Sequence, residues 1–493
     1  MNIAFFVMDA YDHERLGIMH LSSMAKQQGH QTRLIVKGDR AFEDLLADVR
    51  RDLPGMICFG CVTEEHRHLI TLNQQLKKHV AYLSVWGGPH ATYCPSELIR
   101  SPGVDALCIG EGEMAFAELL QRMERGQDYF NVKNFWFQKN GGVVRNEVRN
   151  LIENLDELPF ADRAFLYESA PHLRDQHNKI FMSARGCPCH CTYCFNHAYN
   201  QLYSGKGKVL RHNSVDYLIR DIRAVQEKYP LELVQMFDDD LFLKSIPWIE
   251  EFAERFPKEV GLPIAANVRA NSTNERVVAL MKRAGLYSVF IGVETGDEEV
   301  SGKILARGLT NEQIMNACRI LKNHSIKVMT LNILGLPVPD PIEVDLRTLD
   351  LNIALRPVLA GATILHLNPG TRLAHYASAH GYLSQNWQEE ISIEKKNSSL
   401  LQYPDARMGP QVERLHKLFG LVVQFPFLRR WIKFLIRLPL QRLYLFLYMA
   451  WHGYRYEFHM LSTGKSFRKL PKYLPLYLRY VFGARAGKGK KDE

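Results

Sequence analysis

Strand-like and helix-like segments alternate about five times over residues 2–125, and the alternation resumes from about residue 175. A chain patterned this way must bury parallel strands beneath helices, which confines it to the α/β class. Residues 2–8, 31–37, 55–62, 81–88 and 104–110 read as buried strands, followed by helical periods such as 14–28 and 64–78. The expected N-terminal fold is a doubly wound, Rossmann-like parallel sheet, whose ligands sit beyond the carboxyl ends of its strands. At those ends stand Thr63, then Gly87-Gly88-Pro89-His90, then Gly110-Glu111-Gly112. Glycines there permit close backbone approach to a ligand, and helix N-termini offer unpaired N–H groups. The same glycines would equally serve to close tight turns.

The second pattern places strands near 179–185, 231–238, 263–270, 287–294, 327–336 and 362–368. Six such units suggest an open, partial barrel rather than the closed eightfold one. Polar residues cluster where these strands end: Asp238-Asp239-Asp240, Asn267 with Arg269, Glu294 after Gly292, Asn332 before Gly335-Leu336-Pro337, and Asn368-Pro369-Gly370-Thr371. Taken singly, each also reads as a helix cap or solvated loop charge.

Cys187, Cys189, Cys191 and Cys194 fall within eight residues, just after the strand-like run 179–185 and the turn-forming Gly186. Three of them, Cys187, Cys191 and Cys194, spell C-x3-C-x2-C. Thiolates are the usual ligands of iron–sulfur clusters, and three ligands for four irons leave one iron open to bind something else. The competing reading is a zinc knuckle completed by His190 or His197, although no second paired half-site follows. A disulfide role fits poorly, because no secretory signal is apparent and nine cysteines in 493 residues make no disulfide scaffold.

The segment "SARGCPCHCTYCFN" resembles the cluster loop of the radical S-adenosylmethionine (radical SAM) enzymes. "ERLGIMHLSSMAKQQGH", "GGPHAT" and "VDALCIGEGEMAF" resemble, in order, the cobalamin-binding domain preceding the barrel in one large class of that family. "FxDDxF", "GVETG", "LGLP" and "PGT" match the same class. The resemblance implies a [4Fe-4S] cluster held by Cys187, Cys191 and Cys194, with Cys189 a bystander and Tyr193 packing on adenine. It further implies that Asp239, Asp240, Arg269 and Glu294 line the S-adenosylmethionine pocket. Cobalamin would lie against Thr63, Gly87, Gly88, Pro89, His90, Gly110, Glu111 and Gly112. Cobalamin proteins that use a histidine ligand carry D-x-H-x-x-G; Asp12-His13-Glu14-Arg15-Leu16-Gly17 has those letters at the wrong spacing, so no histidine is expected beneath the cobalt.

The reaction implied is methylation of an unactivated carbon, in which a 5′-deoxyadenosyl radical removes hydrogen and methylcobalamin supplies the methyl group. Ring formation or rearrangement of a hydrophobic or lipid substrate is an alternative within the same architecture. A methylthiotransferase and a non-enzymatic cobalamin or metal sensor are the others. An electron donor such as flavodoxin or ferredoxin is implied, acting with a small-molecule or lipid-like substrate.

The expected domains are 1–130 for cobalamin, 131–174 as linker, 175–385 for the radical SAM barrel and 386–493 as a mainly helical, basic tail. Residues 411–493 hold 17 lysines and arginines against 4 acidic residues, whereas the rest of the chain holds 45 against 49. No run approaches the roughly 20 apolar residues of a spanning helix, so the expected location is cytoplasmic. Arg429, Arg430, Lys433 and Arg437 share one side of a helical wheel, opposite Trp431, Phe434, Leu435 and Leu438. That pattern suits peripheral contact at the inner face of a membrane, or a packed helix with a solvated basic side; no nucleic-acid partner is expected.

Overall fold

The computed structural model of the protein describes residues 1–10, 14–392 and 398–461. His13 and the basic segment 462–493 lie outside the described residues. The described chain divides into two compact units, the first formed mainly by Met1–Leu231 and the second mainly by Glu232–His366 with the C-terminal helices.

The first unit is built on a seven-stranded sheet. β1 (Asn2–Val7), β2 (Gln31–Val36), β3 (Met56–Gly60), β4 (Leu83–Gly87) and β5 (Ala106–Cys108) run parallel in the order β2-β1-β3-β4-β5. Successive side chains on a strand point to opposite faces, and β1 shows both cores at once. Ile3, Phe5 and Val7 join one buried cluster with Met19 and Phe116, while Ala4 and Phe6 join another with Leu45 and Leu69. Both faces of the sheet are therefore covered by helices, the arrangement the continuous apolar strands require.

Residues 131–174 differ from the expected linker. β6 (Phe135–Lys139) and β7 (Gly142–Arg145) extend the sheet antiparallel from β5. Phe135, Phe137, Phe165, Leu166 and Tyr167 are buried in its core. The turn between the two strands is Asn140-Gly141, both with positive φ, 52° and 77°, which is the dipeptide that two-residue hairpins favour. The expected strand over 179–185 is likewise two pieces, β8 (Asn178–Phe181) and β9 (Ala184–Arg185), and β9 pairs antiparallel with β10 (Arg211–His212).

In the second unit β11 (Leu233–Met236), β12 (Ile264–Val268), β13 (Leu286–Glu294), β14 (Lys327–Leu334) and β15 (Leu359–Ile364) form consecutive parallel neighbours. Side-chain caps start the intervening helices: Ser245, Asn274, Thr310 (in a capping box with Gln313) and Asp340 each accept a backbone N–H. The helix Met408–Gln424 covers the free side of β15, where His416 Nε2 lies 3.0 Å from the Ala362 carbonyl oxygen. Val412, Leu415, Phe419 and Val422 bury against Leu346, Leu349, Ala360 and Ile364, so the strand edge is not left to pair with another chain.

Of the basic quartet expected to share one face, Arg429 instead holds Asp350 at 2.6 and 2.8 Å, and Lys433 pairs with Glu343. Among the described residues no helix is long and apolar enough to cross a membrane.

Candidate functional site

The cysteine loop begins where a side chain cannot fit. Gly186 has φ +89°, and a Cβ there would stand 2.1 Å from the Val209 carbonyl oxygen, so a residue larger than glycine would push the loop off β10. Cys187 and Cys191 are buried, while Cys189 and Cys194 are partly exposed. Cys194 is the N-cap of the helix Phe195–Leu202, and its N–H donates to the Cys191 carbonyl at 3.2 Å. One turn and a half along that helix, Asn200 donates from Nδ2 to the Cys187 carbonyl at 2.9 Å. The first and last cysteines of the motif are thus tied to one helix.

Next to them His197 is buried with no hydrogen-bond partner on either ring nitrogen among the described residues. Among the described residues no three His, Cys, Asp or Glu side chains gather closely enough for a single metal ion. A cubic cluster holds each thiolate on a separate iron, so its ligands stand farther apart than those of one ion. Three thiols on a short loop fixed at both ends, beside an unpartnered buried imidazole, suit such a cluster.

At the carboxyl ends of β3 and β4, Thr63 and His90 are buried together, with His90 Nδ1 3.3 Å from Thr63 Oγ1. His90 stacks on His66 at 4.0 Å, and His66 Nδ1 lies 2.5 Å from the Thr63 carbonyl oxygen. Burial, and then the neighbouring His66 and Arg67, push the His90 pKa down to about 3. Its imidazole is therefore neutral, and its Nε2 is buried without a partner among the described residues.

The two glycines beside it have different reasons to be glycine. Gly88 has φ +100°, and its Cβ would stand 2.9 Å from the Cys61 carbonyl oxygen; at Gly87 the nearest atom is Cys108 Cβ at 4.0 Å. Gly88 is required by the protein's own backbone, while Gly87 leaves open room. Pro89 starts the short helix Pro89–Tyr93. The open space at Gly87 and the orphaned His90 nitrogen suit a large ligand with polar edges.

The end of β5 is occupied by the segment that follows the cysteines. At Gly110 (φ +74°) a Cβ would fall on the Tyr203 hydroxyl, which accepts from the Glu111 N–H at 2.8 Å. The Glu111 carboxylate accepts from Arg211 at 2.8 and 3.0 Å and from the Ile152 N–H at 3.1 Å. Beside it Arg185 holds Glu113 at 2.7 Å. Tyr93 stacks on Phe195 at 4.3 Å and donates from its hydroxyl to the Phe195 carbonyl at 3.1 Å. A Cβ at Gly112 would meet Cys108 Sγ and Leu21 only at ordinary contact distance. The helix capped by Cys194 and the loops after β4 and β5 are thereby one packed body.

The second unit carries the remaining expected residues. Asp238 is spent on Lys244 at 2.8 Å, both side chains wholly buried. Asp239 is exposed. Asp240 is buried and accepts from Ser272 Oγ at 2.7 Å and the Phe242 N–H at 3.0 Å. Burial raises its pKa to about 6, against the lowering effect of those bonds and of Arg269. Arg269 donates to the Arg307 carbonyl at 3.1 Å, and Arg307 holds Glu294 at 3.0 Å and the Gly292 carbonyl at 2.6 Å. Glu294 itself sits at φ +63°, a left-handed conformation that a non-glycine residue holds at a cost. Arg269 and Glu294 are thus joined through Arg307.

Arg185, Arg211, Tyr203 and Arg307 escaped the sequence reading. They lie at no recognisable spacing from their partners; a buried carboxylate in need of a cation would have pointed to the three arginines, and nothing local points to Tyr203. Tyr193, at the loop, is partly buried.

Residues 6–120 match the B12 binding domain, and residues 182–347 match the radical SAM superfamily. An uncharacterized methyltransferase of Pyrococcus horikoshii is 28% identical over 386 residues, covering 77% of this chain and 82% of that protein. The hopanoid C-3 methylase of Methylococcus capsulatus is 24% identical over 297 residues, 58% of this chain and 54% of that protein. Among solved structures, the cobalamin-dependent S-adenosylmethionine radical enzyme OxsB, with aqua-cobalamin and S-adenosylmethionine bound, shares the fold. It has a TM-score of 0.66 at 15% identity, covering 97% of this chain and 75% of that one. The radical S-adenosylmethionine methyltransferase TsrM from Kitasatospora setae shares the fold with a TM-score of 0.62 at 15% identity, covering 78% and 76%.

Proposed function

The chain belongs to the cobalamin-binding radical SAM enzymes, and on that premise we propose that it methylates an unactivated carbon of a small-molecule substrate. Its cofactors are a [4Fe-4S] cluster, S-adenosylmethionine and cobalamin. When bound they supply a 5′-deoxyadenosyl radical and a transferable methyl group, and the protein supplies geometry and protection from quenching. The observation that carries the reading is the joining of the two cofactor regions. The helix capped by Cys194 packs through Phe195 on Tyr93, and the Tyr203 hydroxyl just beyond that helix meets Gly110 and Glu111.

In this reading Cys187, Cys191 and Cys194 hold the cluster, and Tyr193 packs on adenine. Asp239 and Glu294 offer carboxylate oxygens to the ammonium and hydroxyl groups of S-adenosylmethionine, and Arg269 faces its carboxylate. Asp240, buried and raised to about 6, is ionised at neutral pH and would favour a cationic group of S-adenosylmethionine beside it, since opposite charges stabilise each other. Around the corrin, Gly87 gives close backbone approach, with Gly88, Pro89, Gly110 and Gly112 shaping the same rim. Neutral His90, held by Thr63, presents Nε2 to a polar edge of the ring. Glu111 contributes through its backbone, its carboxylate being committed to Arg211. The electron entering the cluster comes from a flavodoxin- or ferredoxin-like donor.

The test is to incubate the holoenzyme with reductant, methyl-deuterated S-adenosylmethionine and cell extract. Methylation predicts a product that gains the labelled methyl group, with 5′-deoxyadenosine and S-adenosylhomocysteine formed together. 5′-Deoxyadenosine without label transfer would instead mean ring formation or rearrangement. Formation of neither would mean a sensor.

A further inference from the structure

The water-facing side of the helix Gln441–Arg455 is apolar. At 100° per residue Leu443, Phe446, Ala450 and Tyr454 fall within an arc of about 80°; all four are exposed, while Tyr444, about a third of a turn away, is buried. The preceding segment adds Phe427, Trp431 and Phe434, with 63%, 52% and 58% of their surface exposed. Ring contacts run from Phe427 through Phe425 and Trp451 to Tyr454, at 6.3, 5.4 and 6.3 Å. A helix packed on a globular body normally turns its apolar stripe inward, and an exposed apolar patch of this kind marks an interaction site.

The charges around the patch sort into two sets. Arg429 and Lys433 are taken by Asp350 and Glu343, and Arg455 donates to the Val358 carbonyl. Arg430, Arg437 and Arg442 are exposed and have no carboxylate partner among the described residues. Arg430 lies 5.4 Å from the Trp431 ring centre. Exposed aromatic rings interleaved with exposed arginines on neighbouring segments match the headgroup zone of a bilayer, which takes in both. Two copies of the chain would bring like-charged arginines together, whereas anionic headgroups complement them.

We infer that the face formed by Phe427, Trp431, Phe434, Leu443 and Phe446, rimmed by Arg430, Arg437 and Arg442, docks on the surface of a bilayer containing anionic lipid. The helix lies in the interface and does not span it.

The full-length holoprotein is sedimented with vesicles of phosphatidylcholine, with and without phosphatidylglycerol. It should bind the anionic vesicles, and more weakly as salt rises. Arg430→Gln/Arg437→Gln/Arg442→Gln should lose about fivefold in affinity per arginine. Phe434→Ser/Phe446→Ser should lose binding to the anionic vesicles, with an unchanged melting temperature because both side chains are exposed. Absence of wild-type binding to the anionic vesicles overturns the inference. So does undiminished binding by both variants, which would assign the contact to 462–493. Oligomers of the wild type that the Phe434→Ser/Phe446→Ser protein fails to form, with no vesicle effect, would assign the face to a second copy. Vesicle binding is read independently of methyl transfer, so the two proposals fail separately.

Discussion

Arg211 clasps Glu111 with two guanidinium nitrogens, Nη2 to Oε1 at 2.8 Å and Nη1 to Oε2 at 3.0 Å, in a pair almost wholly withdrawn from water. The two residues are 100 positions apart, one at the end of β5 and the other on β10. The ion pair fastens the sheet to the segment following the cysteine loop.

Removing one partner of a buried pair strands the other charge, at a cost of about 3–5 kcal/mol. Glu111→Ala should therefore lower the melting temperature of cofactor-free protein by several degrees. A carboxylate acting only on the cofactor would leave the cofactor-free protein unchanged, so thermal unfolding without cobalamin separates the two roles.

Glu113 makes the neighbouring pair sensitive to acid. Burial alone would push its carboxyl up, but the Arg185 guanidinium outweighs this and holds the pKa at about 2, below the ordinary 4.5. A depressed carboxyl stabilises the fold above its unfolded pKa and loses that contribution as pH falls toward its folded one. The contribution, about 3 kcal/mol, should disappear between pH 4.5 and 2. Melting temperature followed across this window should fall steeply in the wild type and less steeply in Glu113→Gln.

Asp240 has the opposite sign. Its carboxyl is raised to about 6, chiefly by burial, so the protonated form stabilises the fold at low pH and that stability is lost as pH rises through 6. Asp240→Asn should raise the melting temperature at pH 7–8, by an amount corresponding to about 3 kcal/mol. The same change should weaken S-adenosylmethionine binding, measured by calorimetric titration. A variant both less stable and unimpaired in binding would contradict this role.

The βα alternation was readable because strands buried on both faces leave long apolar runs, and β1 to β5 and β11 to β15 lie close to where those runs stand. The cysteine motif was readable because its cysteines are close in sequence. Roles set by distant partners were not. Glu111 looked like a strand-end ligand until Arg211 claimed it, Asp238 is paired with Lys244, and Arg269 and Glu294 are joined through Arg307. The hairpin of β6 and β7 passed for a linker because it is short, although Asn140-Gly141 announces its turn.

The two glycines at the end of β4 should behave differently. Gly88→Ala should damage the fold itself, because its left-handed φ and the Cys61 carbonyl exclude a Cβ. Gly87→Val should fold normally yet lose corrinoid, since the protein leaves room there. Soluble yield, melting temperature and corrinoid absorbance decide it; full corrinoid loading in folded Gly87→Val protein would move the cofactor elsewhere.

The central claim is that three cysteines hold a cluster with one open iron, where S-adenosylmethionine is cleaved. The direct measurement is 5′-deoxyadenosine formation and iron content after anaerobic reconstitution of the wild type and four single cysteine-to-serine variants. The wild type and Cys189→Ser should each carry one four-iron cluster and form 5′-deoxyadenosine, while Cys187→Ser, Cys191→Ser and Cys194→Ser should lose both. A Cys187→Ser protein that keeps its cluster, or a Cys189→Ser protein that loses it, would contradict the assignment.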